Sequence, residues 1–419
     1  MKNLVMIHLE SLSKEIYEGG RELFSNCDKW FQKSIYFSNH YSTATSTIMV
    51  IADLMYGRME TFENSADLTH FTKKENSSSL FQSLYEEGYD TSMCVYPQLT
   101  EKLDKINIRK ILGNEAVLQE TNHYEELREY LQEKCETKKP FATYIYDWTS
   151  LLSSPFKEKS LKEKNFIDSL EMGYRQIDNT VGMVFDVLEQ KNVLQDTIVI
   201  LFGDHGDEMW AHGFKNGFTH AIEPYPAIIH TPLAIYNYSM NPEEKRTLVN
   251  TTDLRGVVIQ LLFESKLCIK NRKYSFSRNL FLTQKSDILN RSYAVTDGIY
   301  TLILSTRGLE MYLSKYSAFA GMNLLNFYNL QDKKIKLKTC ISEIEGCHIE
   351  FMLKKQDSII RKEFYRLYRK LELEIDKLQK NAEITCGIDD LSKKINYNID
   401  VQCEIHKSAL YNFIGTHRK

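Results

Sequence analysis

"IVILFGDHGDEMWAHG" (residues 198–213) begins as an apolar, β-branched run and stops abruptly on a glycine. A short apolar run closed by a turn residue describes a strand buried on both faces, the kind found inside parallel sheets. Asp204 and His205 then stand side by side at its end, with an acidic pair and His212 close behind. In open α/β sheets, ligands bind beyond the carboxyl ends of the strands. A polar pair at that point is a candidate site, although structural capping explains many such pairs equally well.

Working outward, "NLVMIHL" (3–9) reads as a second buried strand, with Glu10 at its end. "SSSLFQSLYEEGYDTSMCVY" (77–96) reads as a helix closed by Gly88 and followed by a strand. "PFATYIYDW" (140–148) is β-rich, and residues 169–193 carry apolar positions at helical spacing before the strand at 196–202. Strands alternating with helices predict an α/β fold with a mostly parallel central sheet flanked by helices. From about residue 290 the texture changes to short antiparallel strands, and residues 358–380 form a charge-laced helical stretch. Its apolar positions 360, 364, 367, 371, 375 and 378 fall on one stripe. The expected organisation is an α/β catalytic domain over 1–288, a small C-terminal antiparallel-sheet subdomain over 289–340, and a helix-rich extension over 341–419. The stripe is expected to pack on the domain, with self-association through 358–380 as the other use.

The chain has 419 residues and a net charge of -3, so no global basic field points to nucleic acid. No apolar run approaches the length of a membrane span. The start reads as a strand and not as a secretory leader. The eight cysteines are scattered, with no CxxC pair, which suits reduced thiols and a cytoplasmic location.

Two carboxylates and an imidazole converging at one sheet edge (Glu10, Asp204, His205) suit a divalent metal. A third stretch, "YFSNHYSTATSTIMVIADLMYGR" (36–58), is a hydroxyl-rich loop running into an apolar helix. A helix N-terminus stabilises an anion, and a Ser or Thr there can be metal-bound and nucleophilic at once. These hydroxyls could equally serve only as caps. His8, inside the first strand, reads as a satisfied core residue, and His40 and His70 as loop or surface residues.

Together the pieces resemble a family. "NLVMIHLESL", "FSNHYSTATSTIMVIADLMYGR", "SLFQSLYEEGYDTSM", "YRQIDNTVGMVFDVLEQKNVLQDTIVILFGDHGDEMWAHGFK" and "HTPLAIYN" follow the order and spacing of the sulfatase branch of the alkaline phosphatase superfamily. "TTDLRGVVIQLL", "YAVTDGIYTLIL" and "NFYNLQDKK" resemble its later helix and small C-terminal sheet, so the resemblance covers about residues 1–335. It implies an alkaline phosphatase-like fold, with Glu10, Asp204 and His205 as metal ligands. Sulfatases usually have Asp at the first position, whereas lipoteichoic acid synthases and phosphoethanolamine transferases have Glu. It puts Thr47 at the nucleophile position and on the metal, and Lys215 near an anion-contacting lysine. It makes His212 and His220 substrate-binding or acid residues. The implied catalytic set is thus Thr47, Lys215 and His220.

The departures point to the chemistry. A sulfatase needs Cys or Ser at the nucleophile for oxidation to a formylglycine aldehyde; Thr would give a ketone. The "CxPSR" Pro and Arg are missing, since "IMVI" follows Thr47. "CVYPQ" (94–98) replaces the usual "GKxH", and Asp147, Trp148 and Thr149 stand where a histidine often does. His212, His220 and His230 do not match a second set of metal ligands cleanly. One divalent ion is therefore expected (Mn, Zn, Mg or Ca), with Mn or Zn favoured by the mixed oxygen and nitrogen donors. The expected function is phosphoryl-type transfer or phosphate-ester hydrolysis through a phospho-Thr intermediate, on a small-molecule or glycan- or lipid-linked substrate. The alternatives are a sulfatase-like sulfuric ester hydrolase and a non-catalytic metal-binding relative.

Overall fold

The computed structural model describes the chain apart from residues 61, 64–69, 72, 74–75, 96–101, 122–123, 148–162, 208–219, 221–222, 280–291, 306–307, 315–322, 332–333, 338–343 and 381–419. Its centre is an eight-stranded sheet. In spatial order the strands are Glu243–Asn250, Ile35–Tyr41 (β2), His230–Tyr236, Thr197–Gly203, Asn3–Leu9 (β1), Phe141–Asp147, Asp90–Val95 and Val117–Glu120. Strand His230–Tyr236 runs antiparallel to both neighbours, and every other pairing in this sheet is parallel. The sheet is mostly parallel, as expected from strands alternating with helices.

Side-chain parity sorts the sheet into two cores. In β1, Leu4 and Met6 face one layer while Val5, Ile7 and Leu9 face the other. Strand Thr197–Gly203 repeats this, with Ile198, Ile200 and Phe202 on the first side and Val199 and Leu201 on the second. Helices Lys14–Gly19 (α1) and Ser25–Gln32 (α2), with the long helix Glu163–Gln190, cover the second side. Helix Thr47–Tyr56 (α3) covers the first. Apart from Asp53 it is apolar after its first turn, because it is buried between the sheet and its helical neighbours. Helix Leu80–Glu86 also lies on that side; Ser79 caps it, and Gly88 at φ 92° turns the chain into strand Asp90–Val95.

A separate four-stranded antiparallel sheet follows, from Ser275–Asn279, Ser292–Thr296, Tyr300–Ser305 and Gly308–Leu313. Helix Ile344–Lys380 lies across it. Ile360, Phe364, Leu367, Leu371 and Ile375 are buried against Tyr293, Val295, Leu302, Leu304 and Met311. The apolar stripe is thus covered by the chain's own sheet; the side chain of Leu378 lies outside the described residues. Among the described residues no helix is long and apolar enough to cross a membrane.

Candidate active site

The site is built where β1 and strand Thr197–Gly203 end side by side, with Leu9 opposite Gly203. Asp204 and Glu10 leave the sheet on the side that faces α3. Two glycines make the turn feasible. A Cβ on Gly203 would lie 2.2 Å from the Leu12 carbonyl oxygen, and one on Gly206 would lie 2.3 Å from that of Ala227. Asp204 is then fixed from outside its own strand: its Oδ1 accepts from the Ser11 backbone N–H at 3.1 Å. Ser11 Oγ in turn donates to Glu10 Oε1 at 3.1 Å.

Thr47 is the first residue of α3, after Ser46 in extended conformation. Its Oγ1 lies 3.3 and 3.2 Å from the two Glu10 carboxylate oxygens and 3.1 Å from His205 Nε2. His205 Nδ1 donates to the Gly206 carbonyl oxygen at 3.1 Å, which leaves Nε2 as the inward lone pair. His205 Nε2 is 3.6 Å from Glu10 Oε1 and 3.1 Å from Asp204 Oδ2. All four residues expected to hold the metal therefore converge. Glu10, Asp204 and His205 are fully buried, and Thr47 is 9% exposed.

His220 also reaches the site. Its ring lies 4.3 Å from that of His205, and its Nδ1 is 2.9 Å from Asp207 Oδ1. Burial opposes a charge on His220, but Asp207, helped by Glu10 and Asp204, lifts its pKa to about 9. Lys215 and His212, and the replacement residues Trp148 and Thr149, lie outside the described residues.

Two histidines, His8 and His40, differ from the sequence reading. His8 is in the core, but it is not satisfied there. Its Nδ1 is 2.7 Å from the Tyr144 hydroxyl, while its Nε2 points at the carboxylates, 3.3 Å from Glu10 Oε2 and 3.1 Å from Asp204 Oδ2. Burial opposes its charge, but Asp204 and Glu10 outweigh that and lift its pKa to about 9. The same imidazoles hold the Asp204 carboxyl well below its usual range, although burial alone would raise it. His40 is no surface residue; it sits buried in β2 with Nδ1 2.9 Å from Thr231 Oγ1. His230, considered for a second metal, is stacked on Tyr41, with its two nitrogens each 3.0 Å from the carbonyl oxygens of Ser314 and Ser38.

Sequence reasoning also missed what holds the Thr47 loop. Ser277 Oγ donates to the Ser42 carbonyl oxygen at 2.5 Å, and the Arg278 N–H donates to that of Thr43 at 2.9 Å. The Arg278 guanidinium reaches Asp53 Oδ1 of α3 at 2.9 Å and the Glu60 carbonyl oxygen at 2.5 Å. The small sheet thus clamps the loop and helix that carry Thr47. No sequence signal links Arg278 to Asp53. His8 did carry one: it shares the strand face of Glu10, two residues on.

The donor chemistry fits a divalent ion. His8 Nε2 and Asp204 Oδ2 are buried and, among the described residues, have no hydrogen-bond partner. His8, Glu10 and Asp204 offer ligand atoms that all lie within 4.8 Å of one another. The sequence pattern of the Sulfatase family matches residues 2–262. The chain belongs to the sulfatase family. No curated protein sequence matches it closely enough to count. The fold is shared with the putative sulfatase YidJ of Bacteroides fragilis at TM-score 0.62 and 14% identity, covering 94% of this chain and 98% of that one. It is also similar to the phosphonate monoester hydrolase of Agrobacterium radiobacter (TM-score 0.55, 11% identity, 81% and 100% covered). The lipoteichoic acid synthase LtaP of Listeria monocytogenes is comparable (TM-score 0.55, 13% identity, 79% and 87% covered). This sulfatase-family chain therefore has an alkaline phosphatase-like architecture and is a hydrolase or transferase by kinship.

Proposed function

We propose that this sulfatase-family chain acts on phosphate esters, as a phosphoryl-type transferase or a phosphodiester or phosphomonoester hydrolase, with Thr47 as nucleophile. The observation that carries the proposal is the placement of a threonine, not Cys or Ser, at the first residue of α3 and within 3.3 Å of Glu10 and His205. A threonine cannot become the aldehyde that sulfate-ester hydrolysis in this family requires, yet its hydroxyl is a competent phosphoryl acceptor. One of the similar structures, the phosphonate monoester hydrolase, bears a name that denotes phosphorus chemistry.

One divalent ion, Mn(II) or Zn(II) ahead of Mg(II) or Ca(II), is proposed at Glu10, Thr47, Asp204 and His205. When bound, such an ion lowers the pKa of the Thr47 hydroxyl and offsets charge on the phosphoryl oxygens. Thr47 Oγ, its proton given up to solvent, attacks phosphorus as the bond to the leaving oxygen breaks. The free N–H groups of the first turn of α3 face the same anion. His220, held by Asp207, hands its proton to the leaving oxygen. A water or an acceptor alcohol then attacks the phosphorus of phospho-Thr47 as the bond from phosphorus to Thr47 Oγ breaks; neutral His220 takes up the incoming proton, and Thr47 Oγ regains its own proton from solvent. Lys215 and His212 are proposed as phosphate contacts, and a glycan- or lipid-linked phosphate ester as the substrate class.

The test is a panel of aryl phosphates, phosphodiesters and sulfate esters run with each of the four metals, combined with intact-mass detection of phosphorylated Thr47 after acid quench. Turnover of phosphate but not sulfate esters, with the label on Thr47, is expected. Turnover of sulfate esters alone would support the sulfatase reading, and no turnover at all the non-catalytic one.

A further inference from the structure

The proposed chemistry leaves the buried imidazole of His8 unused. It sits two residues deeper in β1 than Glu10, on the same strand face, with its ring stacked at 4.5 Å on Tyr146 and close to Phe202. This aromatic cage fixes the ring plane and leaves one polar exit, towards the carboxylates. Resting on the metal reading above, we propose that His8 Nε2 is a direct ligand of the same ion, which makes the site a two-imidazole, two-carboxylate centre.

Three observations carry this. First, Asp204 Oδ2 lies 3.1 Å from His8 Nε2 and also 3.1 Å from His205 Nε2, so it stands between two imidazoles in equivalent positions. Second, among the described residues neither His8 Nε2 nor Asp204 Oδ2 makes a hydrogen bond, although they are close enough for one. A histidine that merely steadied a carboxylate would aim an N–H along the oxygen lone pair. Two donor atoms that approach closely without that alignment are arranged instead around a shared third atom. Ligand atoms about 2.1 Å from one ion sit about 3.0–3.5 Å apart at octahedral or tetrahedral angles. The spacings of 3.1, 3.3, 3.1 and 3.6 Å among His8, Glu10, Asp204 and His205 fall in or beside that range. Third, each imidazole is anchored at Nδ1 by an oxygen, His205 by the Gly206 carbonyl and His8 by the Tyr144 hydroxyl. An Nδ1 anchored by an oxygen, with Nε2 turned to the ion, is the usual arrangement of a metal-bound histidine.

Two imidazoles also restrict the choice of ion. Hard Mg(II) and Ca(II) prefer all-oxygen surroundings, whereas Mn(II), Co(II) and Zn(II) accept nitrogen. A third nitrogen donor is available near by in His220, so the test must tell the rings apart.

The experiment loads the full chain with Mn(II) alone and counts directly coordinated imidazole nitrogens by pulsed EPR, with binding measured in parallel by equilibrium dialysis. Two imidazoles are expected in the wild type, one in His8→Ala, and still two in His220→Ala. Mn(II) affinity should fall at least about 10-fold in His8→Ala, and a 100-fold excess of Mg(II), about the factor that would reveal competition, should not displace Mn(II) from the wild type. The wild-type count stands even if a variant does not fold. One imidazole in the wild type, or two retained in His8→Ala, overturns the role of His8 and leaves the metal site standing. No Mn(II) bound to the wild type overturns the metal site itself.

Discussion

Replacing Arg278 by Met should expose how strongly the small sheet holds the helix that carries Thr47. The Arg278 side chain is 3% exposed and Asp53 is fully buried, so the pair has almost no access to water. Removing one partner of such a pair leaves an uncompensated buried charge and costs about 3–5 kcal/mol. At roughly 2 °C per kcal/mol for a chain of this size, the thermal midpoint should fall by about 6–10 °C. The loss should depend on pH in a definite direction. Burial pushes the Asp53 carboxyl up, and Arg278 is the first of the partners pulling it back. Without Arg278 the native state keeps the Asp53 proton to higher pH than the unfolded chain does. The unfolded chain then binds fewer protons, so the variant loses stability as pH rises above the unfolded carboxylate range and is least impaired in acid. Denaturant unfolding at pH 5 and pH 8, compared with the wild type, reads both effects. Arg278→Met combined with Asp53→Leu should recover more than half of the loss, because the orphaned carboxylate goes with it. A single-variant cost below about 1 kcal/mol, typical of a surface pair, or a double variant no better than the single one, would refute the buried-clamp argument.

Thr47→Ala should leave fold and Mn(II) binding nearly intact while lowering kcat on phosphate esters at least about 10³-fold, as loss of a nucleophile does. Thr45→Ala should do much less, and the reverse order of effects would move the nucleophile by two residues. Burial, with a further push from His230, holds His40 at about 3. The unfolded chain takes up that proton below about pH 6.5 and the native state does not, so stability is full above that range and falls by up to about 1.4 kcal/mol per pH unit below it. His40→Gln should flatten the wild type's decline between about pH 6.5 and 4.5 in urea unfolding; an unchanged slope counts against it. Phe364→Ala should cost about 3–5 kcal/mol in the same assay, because Phe364 is buried between the C-terminal helix and the small sheet; a near-zero cost would mean that the helix does not dock.

The sequence by itself determined the layers and the points where chemistry could occur. A run such as Ile198–Phe202 is apolar on both faces only because helices cover both, so a buried parallel strand could be read from composition and length. The glycine at 203 announced the end of that strand. Glu10, Asp204 and His205 were legible because strand ends are local features; Thr47 was singled out among its hydroxyl neighbours by the resemblance, because the order of segments had few folds to match. Whether those residues meet was another matter, because it depends on strand order, and strand order is set by long-range packing. The pairing of β1 with strand Thr197–Gly203 brings Glu10 to Asp204. The clamp from Ser277 and Arg278 onto the Thr47 loop joins positions more than 200 residues apart and leaves no local pattern. His8 shows the same division. Strand parity put it on the face of Glu10, but only the cage of Tyr144, Tyr146 and Phe202 aims its Nε2 at the carboxylates. Backbone periodicity fixes which face a side chain leaves from; the neighbours that pack around it fix where its polar atom points.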